Sequence, residues 1–385
     1  MIQAAEKILQ LTRAKDWRLS FVPFIIGCVY LWLWWFEIEL SISSLLLFIL
    51  SFITTFGFAA LGYFINEFFD KEVDAKAGKI NKLAFLPPLY QTLLFIGCAA
   101  ATFLPWLWLP LNQTSVLLFA CEIFLFLIYS LPFPRLKETP LISGFIDSGY
   151  AYVVPLLLSF YTYSLFAHSE NIQMIYVLAA AVFMIGFRNI TIHHVNDIFK
   201  DKLSSTITLP QVIGVNATNR LVLVLLLQEI FLVLVWSLIL ALQQPLFWLW
   251  VIIYLGSLGF RYYLLAPKFR LSFLSIGPFR HLTDPIYQYV FPGVTLLLAI
   301  TTDYKWLVLV PFHIAFMLTE AMQKIAWDTI YHKSRALKYV GIRTIVVPIK
   351  IMGNYAIYYS FLAVGANLRK ENMSAWAYIK KKAGR

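Results

Sequence analysis

Apolar runs of about 20 residues recur from one end of this chain to the other, and each is long enough to cross a bilayer as a helix. They fall at residues 19–36, 42–69, 89–110, 115–131, 145–166, 172–197, 219–242, 246–265, 285–302 and 305–322. A lipid core leaves no water for unpaired backbone groups, so a chain built this way spans as helices or as a closed barrel. Barrel strands alternate over about ten residues, and these runs are continuous. The fold class this implies is all-α, a polytopic membrane helical bundle. Composition agrees: 60% of the residues are hydrophobic and 13% are charged, far from soluble averages. The first run is followed by no small-residue cleavage site and reads as a retained span.

The formal charge of +11 does not indicate a nucleic-acid partner, because the basic residues sit in alternate loops. Lys7, Arg13, Lys15 and Arg18 precede the first run, and Lys71, Lys76, Lys79 and Lys82 follow the second. Arg135 and Lys137, then Lys200, Lys202 and Arg220, then Arg261, Lys268, Arg270 and Arg280 continue the pattern. The intervening loops hold only Lys305. The positive-inside rule therefore places the N-terminus and the basic loops in the cytoplasm. Cys28, Cys98 and Cys121 lie within apolar runs without metal-ligand spacing and read as small buried hydrophobes.

Two stretches carry chemistry. The second run ends in Asn66, Glu67, Asp70 and Asp74. On a helix Asn66, Asp70 and Asp74 share one face, with Glu67 beside it. Like charges at that spacing repel, so the row is either a solvated helix end, relieved by Lys71 and Lys76, or a site for a divalent cation. The sixth run ends in His193, His194, Asn196, Asp197, Asp201 and Lys202. His193, Asp197 and Asp201 again share a face. By the charge pattern both rows reach the same, cytoplasmic side. Two such rows facing each other can hold two divalent ions bridging a diphosphate, with lysines balancing its remaining charge. Departure of diphosphate from an allylic carbon needs that arrangement, and aromatic helices would house the isoprenoid tail and the cation.

These motifs resemble those of the UbiA superfamily of intramembrane prenyltransferases. The first family motif is Asn-Asp-x-x-Asp-x-x-x-Asp, matched here by Asn66, Glu67, Asp70 and Asp74, with Glu in place of the first Asp. The second is Asp-x-x-x-Asp, matched by Asp197 and Asp201. The segment from Asn196 to Gly214, the turn with Tyr129, Pro132, Arg135 and Lys137, and the opening from Arg13 to Pro23 are also similar, so that the likeness spans residues 10–300. The chain departs from the family at Asn81-Lys82-Leu83, where Arg-Pro is usual, and at Ile207, where a basic residue is common.

The resemblance implies a nine-helix core over residues 1–302. It implies Mg²⁺ as cofactor, a prenyl diphosphate donor, and a lipophilic or aromatic acceptor. Asn66, Glu67, Asp70, Asp74, Asp197 and Asp201 would be the metal-binding set. Asn66, Lys71, Lys137, Lys200 and Lys202 would contact the diphosphate. Asp70 and Asp197 would be catalytic. His193 falls outside the family's usual plan; read from its own position it is a further catalytic candidate, either taking a proton, orienting Asp197 or simply packing.

Arg188, deep in the sixth run, implies a cavity or a partner. Glu122, deep in the fourth, is a candidate partner, and Arg188 is also a candidate substrate-binding residue. Asp147 and Tyr150 are candidates for the cavity wall or for interfacial anchors. Residues 303–385 form an extension: a further span, a charged helix, an interfacial or re-entrant segment at 344–366, and a basic tail suited to anionic lipid headgroups. Two rival reactions share the fold, terpene cyclisation and phosphoribosyl transfer. A cation-coupled transporter is a third reading, disfavoured because the acids sit at one face and not at the midplane.

Overall fold

The computed structural model describes residue 11 and residues 21–76, 78, 80–133, 135–168, 173–203, 206–265 and 276–318. Lys7, Arg13, Lys15, Arg18, Lys79, Ser204, Ser205, Lys268, Arg270 and the extension beyond residue 318 lie outside the described residues, as do the side chains of Lys76 and Lys200. Contacts divide the chain into two units, Met1–His313 and Ile314–Arg385. The nine numbered helices below belong to the first.

Among the described residues eight helices are long and apolar enough to cross a membrane, and two shorter apolar helices, Val22–Trp35 and Tyr304–Phe316, precede and follow them in the sequence. In chain order the bundle is α1 (Val22–Trp35), α2 (Ile42–Phe69), α3 (Pro88–Leu107), α4 (Gln113–Ser130), α5 (Pro140–Phe166), α6 (Gln173–Leu203), α7 (Val215–Gln243), α8 (Pro245–Tyr263) and α9 (Phe279–Thr302). The apolar runs of the sequence correspond to these helices. Two begin earlier than the hydropathy implies, α5 at Pro140 and α9 at Phe279. Their first turns carry polar residues that the rest of the protein buries, among them Ser143 and Asp284.

Helix α1 is the centre. All its residues but the last are buried, as expected for a helix apolar on every side. It packs on α2, α5 and α9. Phe24 stacks on Phe291 of α9 with ring centroids 4.9 Å apart. Trp32 meets Phe160 of α5 edge-on at 5.1 Å and donates from Nε1 to Ser159 Oγ at 3.1 Å. Bare backbone lets the helices approach closely, the usual device where lipid offers no hydrophobic drive. A Cβ at Gly57 of α2 would lie 2.5 Å from the Thr102 nitrogen of α3, and one at Gly144 of α5 would lie 1.9 Å from the Phe187 ring of α6.

Helix ends follow their sequence. Ser41 caps α2, accepting from the Ser44 N–H at 3.1 Å, and Asn112 caps α4 through Ser115 at 2.8 Å. Within α5 the turn Gly149–Val153 is widened to a π turn just ahead of Pro155. Proline lacks an N–H and its ring presses on the carbonyl four residues back; the wider turn accommodates both. Cys28 and Cys98 are buried, but Cys121 is exposed. It lies on the outer surface of α4, next to Glu122, which turns inward.

Candidate active site

The first acid row forms as its spacing predicts. Asp70 terminates α2, its N–H bonding to the Asn66 carbonyl at 3.0 Å. The short helix Lys71–Lys76 continues the winding, with Asp74 N–H bonding to the Asp70 carbonyl at 2.8 Å. Asn66, Asp70 and Asp74 therefore stay in register on one face.

Two cations from the turn after α4 close on this face. Arg135 reaches Asp70 Oδ1 with Nη2 at 2.8 Å. Lys137 pairs with the same oxygen and donates to Asn66 Oδ1 at 2.8 Å. Arg135 holds a left-handed backbone, φ 49°, a conformation a side-chain-bearing residue adopts at a cost of about 1–3 kcal/mol. The turn is thereby bent so that Arg135 also bonds Glu138. Burial lowers the Lys137 pKa below the ordinary lysine value, while the charge of Asp70 and its hydrogen bond pull it back up.

Asn81 completes the first row. It is 4% exposed and donates from Nδ2 to Asp74 Oδ2 at 3.0 Å and to the Glu67 carbonyl at 2.8 Å. Its Oδ1 accepts from the N–H groups of Leu83 and Ala84 at 3.1 and 3.2 Å. This is the position where the family's Arg-Pro is replaced, and an amide that clasps an acid stands in the loop. Sequence reasoning registered the departure but gave Asn81 no task.

The second row lies at the end of α6, which runs on to Leu203 and carries Asp197, Asp201 and Lys202 on the helix. Asp201 is buried at 8% exposure. His193 Nε2 lies 3.7 Å from Asp197 Oδ2, and Lys202 is exposed. Among the described residues no three His, Cys, Asp or Glu side chains converge on one metal position. The six predicted ligands thus stand as two separate rows. That suits Mg²⁺, which takes one or two carboxylates and completes its shell with substrate phosphates and water.

A cavity of about 340 Å³ lies between the helices; Asn66 lines it, and the carboxylates of the two rows do not. Asn66 and Tyr63 of α2, and Asn189 and His193 of α6, all line it. Asn66 and His193 each stand one helical turn before an acid, Asp70 and Asp197. Tyr129, Asp147, Tyr150 and Tyr152 line it too, the last two presented by the π turn of α5. Tyr150 donates to Asp147 Oδ1 at 2.9 Å, and its ring lies 5.2 Å from that of Tyr129. Asn189 donates to Tyr152 at 3.1 Å. Asn189 was not singled out from sequence. Its signal was available: a polar side chain inside an apolar helix, one turn before His193.

Two expected contacts are placed elsewhere. Lys71 turns to Gln91, donating at 2.7 Å, and lies 4.1 Å above the Phe68 ring, so it does not join the group around Asp70. Arg188 does not line the cavity and does not meet Glu122. It is fully buried and bonds Glu229 of α7 at 2.7 Å, Asp284 of α9 at 2.6 Å, and the Arg280 carbonyl at 2.6 Å. Four of its five N–H donors are committed to fastening three helices, through Glu229, the Arg280 carbonyl, Thr283 and Asp284.

The sequence model of the UbiA prenyltransferase family matches residues 20–271, a stretch holding both acid rows and the basic turn. The chain belongs to the UbiA prenyltransferase family. Membership and the apolar helices together make it a multi-pass integral membrane protein. Among solved structures, a UbiA homolog from Archaeoglobus fulgidus bound to GPP and Mg²⁺ is similar at 18% identity with a TM-score of 0.50, aligning 76% of this chain with 99% of that one. The same homolog bound to DMAPP and Mg²⁺ gives 18% identity and a TM-score of 0.49 over the same shares. At that identity the likeness bears on fold alone. No curated protein sequence matches the chain.

Proposed function

We propose that this UbiA-family protein is a Mg²⁺-dependent prenyltransferase that moves a prenyl group from a prenyl diphosphate to a lipophilic or aromatic acceptor. One observation carries the reading: Asn66 and His193, each a turn from the acid that follows it, line a single cavity, and Lys137 bonds Asn66 while Arg135 and Lys137 both pair with Asp70. The A. fulgidus homolog holds GPP or DMAPP with Mg²⁺, which supports the donor class and the metal.

Asn66, Glu67, Asp70, Asp74, Asp197 and Asp201 offer hard oxygen ligands of the kind Mg²⁺ prefers. When bound, the ion supplies positive charge that stabilises the departing diphosphate. The protein's own groups do the rest. Lys137 and Arg135 face the diphosphate, and Asn81 keeps Asp74 from turning away. Lys200 and Lys202, on the second row, are further diphosphate contacts in this reading. The rings of Phe126, Tyr129 and Tyr150 present π faces to a positively charged allylic carbon. His193, beside Asp197, and the Asp147–Tyr150 pair are the groups within the cavity suited to receive the acceptor's proton. Lysines and arginines crowd the loops on the acid side, which supports a cytoplasmic N-terminus and a cytoplasmic site. The core of residues 1–302 carries the chemistry, and the basic tail of 303–385 meets anionic lipid.

The test is turnover of a purified preparation supplied with prenyl diphosphates and Mg²⁺, read as diphosphate release and product mass. Asp70→Asn and Asp197→Asn should each abolish release while the protein still inserts and purifies as a bundle. Normal Mg²⁺-dependent release by both variants would end the proposal.

A further inference from the structure

The cavity does not stop at Asn66. Its lining on α2 runs from Asn66 back to Ser51, fifteen residues or about 22 Å along the helix axis. Ser51, Thr54, Thr55, Ser159 and Thr162 belong to its deep part, as does Glu122 of α4. The depth of Glu122 follows from ring packing. Phe58 of α2 lies between Phe119 and Phe126 of α4, with centroids at 5.5 and 6.4 Å, and Glu122 falls between those two. Phe58 is eight residues from Asn66, which puts Glu122 about 12 Å inside the membrane from the diphosphate end.

Glu122 is completely buried, and neither of its carboxyl oxygens has a hydrogen-bond partner among the described residues. Four of the five hydroxyl donors in this deep part are already used elsewhere. Thr54 donates to the Thr102 carbonyl at 2.9 Å, Thr55 to Ser51 at 2.7 Å, Ser159 to Leu156 at 2.7 Å and Thr162 to Leu158 at 2.8 Å. Trp106 spends its N–H on Thr54 at 2.9 Å. Arg188, the cation at comparable depth, is fastened to Glu229 and Asp284. A buried carboxyl with no partner is costly, and a pure hydrocarbon seated beside it leaves that cost in place.

We propose that Glu122 is a specificity-determining residue: it forms a polar subsite in the deep half of the cavity that takes a hydroxyl group carried on the lipophilic body of a substrate. The depth rests on the prenyl-transfer reading, which sets the diphosphate beside Asn66. Such a hydroxyl has two sources, the far end of the donor's tail or the acceptor. Selection for it disfavours a plain hydrocarbon of the same length.

Binding of matched probe pairs to the purified full-length protein tests this. One pair is farnesyl thiolodiphosphate and its chain-terminal hydroxyl analogue, with Mg²⁺. The other is 4-decylphenol and decylbenzene, measured with and without the first thiolodiphosphate present. In at least one pair the wild type should favour the hydroxyl-bearing member by about tenfold, the effect of one buried hydrogen bond. Glu122→Gln should keep the preference, and Glu122→Leu or the length-matched Glu122→Met should erase it. The pair that shows the preference identifies the source. Less than twofold preference in both pairs, or a preference that survives Glu122→Leu and Glu122→Met, would overturn the subsite. If neither thiolodiphosphate binds, the prenyl donor reading fails, and the phenol pair still decides the case of Glu122.

Discussion

Replacing Lys137 by Met tests whether the cations that close on Asp70 are part of the diphosphate site. Lys137 bonds both Asn66 and Asp70, and its side chain is only 12% exposed, as Asp70 is 14% exposed. Solvent screening at the pair is therefore modest. A hydrogen bond to a charged group is worth roughly 1.5–3 kcal/mol, and Arg135 would remain 2.8 Å from Asp70 to hold it. Loss of the one ammonium should then weaken donor binding by about 2 kcal/mol, or roughly 30-fold. Titration of Lys137→Met with a thiolodiphosphate donor in saturating Mg²⁺ measures this, and Lys137→Arg, which keeps the charge, should recover most of the loss. The pH dependence has a definite sign. Burial lowers the Lys137 pKa, so its proton leaves before that of a solvent lysine, and donor affinity falls on the alkaline side earlier than an ordinary ammonium would allow. The unfolded chain holds that proton more tightly, so the stability of the free protein changes in the opposite direction and rises through the same window. Lys137→Arg should remove the alkaline limb, because guanidinium does not titrate there. Donor affinity within twofold of wild type in Lys137→Met, at every pH, would refute the reasoning.

Three further outcomes are expected. Asn81→Leu frees Asp74 and should raise the Mg²⁺ concentration needed for half-maximal turnover by roughly 10-fold to 100-fold, the usual effect of losing a group that orients a ligand, alongside a stability loss of roughly 0.5–2 kcal/mol from the cap it removes at Leu83 and Ala84. Arg188→Met leaves Glu229 and Asp284 buried without their cation and should cost roughly 3–5 kcal/mol of stability, seen as a lowered thermal midpoint in detergent. Single cysteines introduced in place of Lys305 and of Lys202, in a background without Cys28, Cys98 and Cys121, should react with a membrane-impermeant maleimide from opposite faces of oriented vesicles. Labelling of both from one face would contradict the topology.

The helices were legible because bilayer thickness fixes how long an apolar run must be, and the match between the second run and Ile42–Phe69 is complete. The first acid row was legible because a helical period of four carried Asn66, Asp70 and Asp74 without interruption into Lys71–Lys76. Lys137 was found as a residue of a basic turn, but its partners were not. They depend on the left-handed Arg135, and nothing local in the sequence announces that conformation. Asn81 escaped for a similar reason: its amide closes a loop across seven residues to Asp74, and an asparagine in a loop has many local uses. Lys71 shows the reverse error. Adjacency to Asp70 suggested a shared task, yet consecutive residues on a helix face different ways, and Lys71 points to Gln91.

The pairing of Arg188 shows most clearly where sequence depth alone misleads. Arg188 and Glu122 are opposite charges in the middle of apolar helices, and depth made them natural partners. The bundle instead gives Arg188 two acids, Glu229 and Asp284, and leaves Glu122 on the wall of the cavity with no partner among the described residues. Asp284 takes a second contact from His281, whose Nδ1 lies 2.6 Å from it, so the excess acid in that group has a neighbour near the membrane edge. Buried acids in one protein thus meet two fates. Those beside Arg188 are satisfied by the chain itself and tie α6, α7 and α9 together. Glu122 has no hydrogen-bond partner among the described residues, and its position on a cavity wall leaves it open to a group carried in by the ligand.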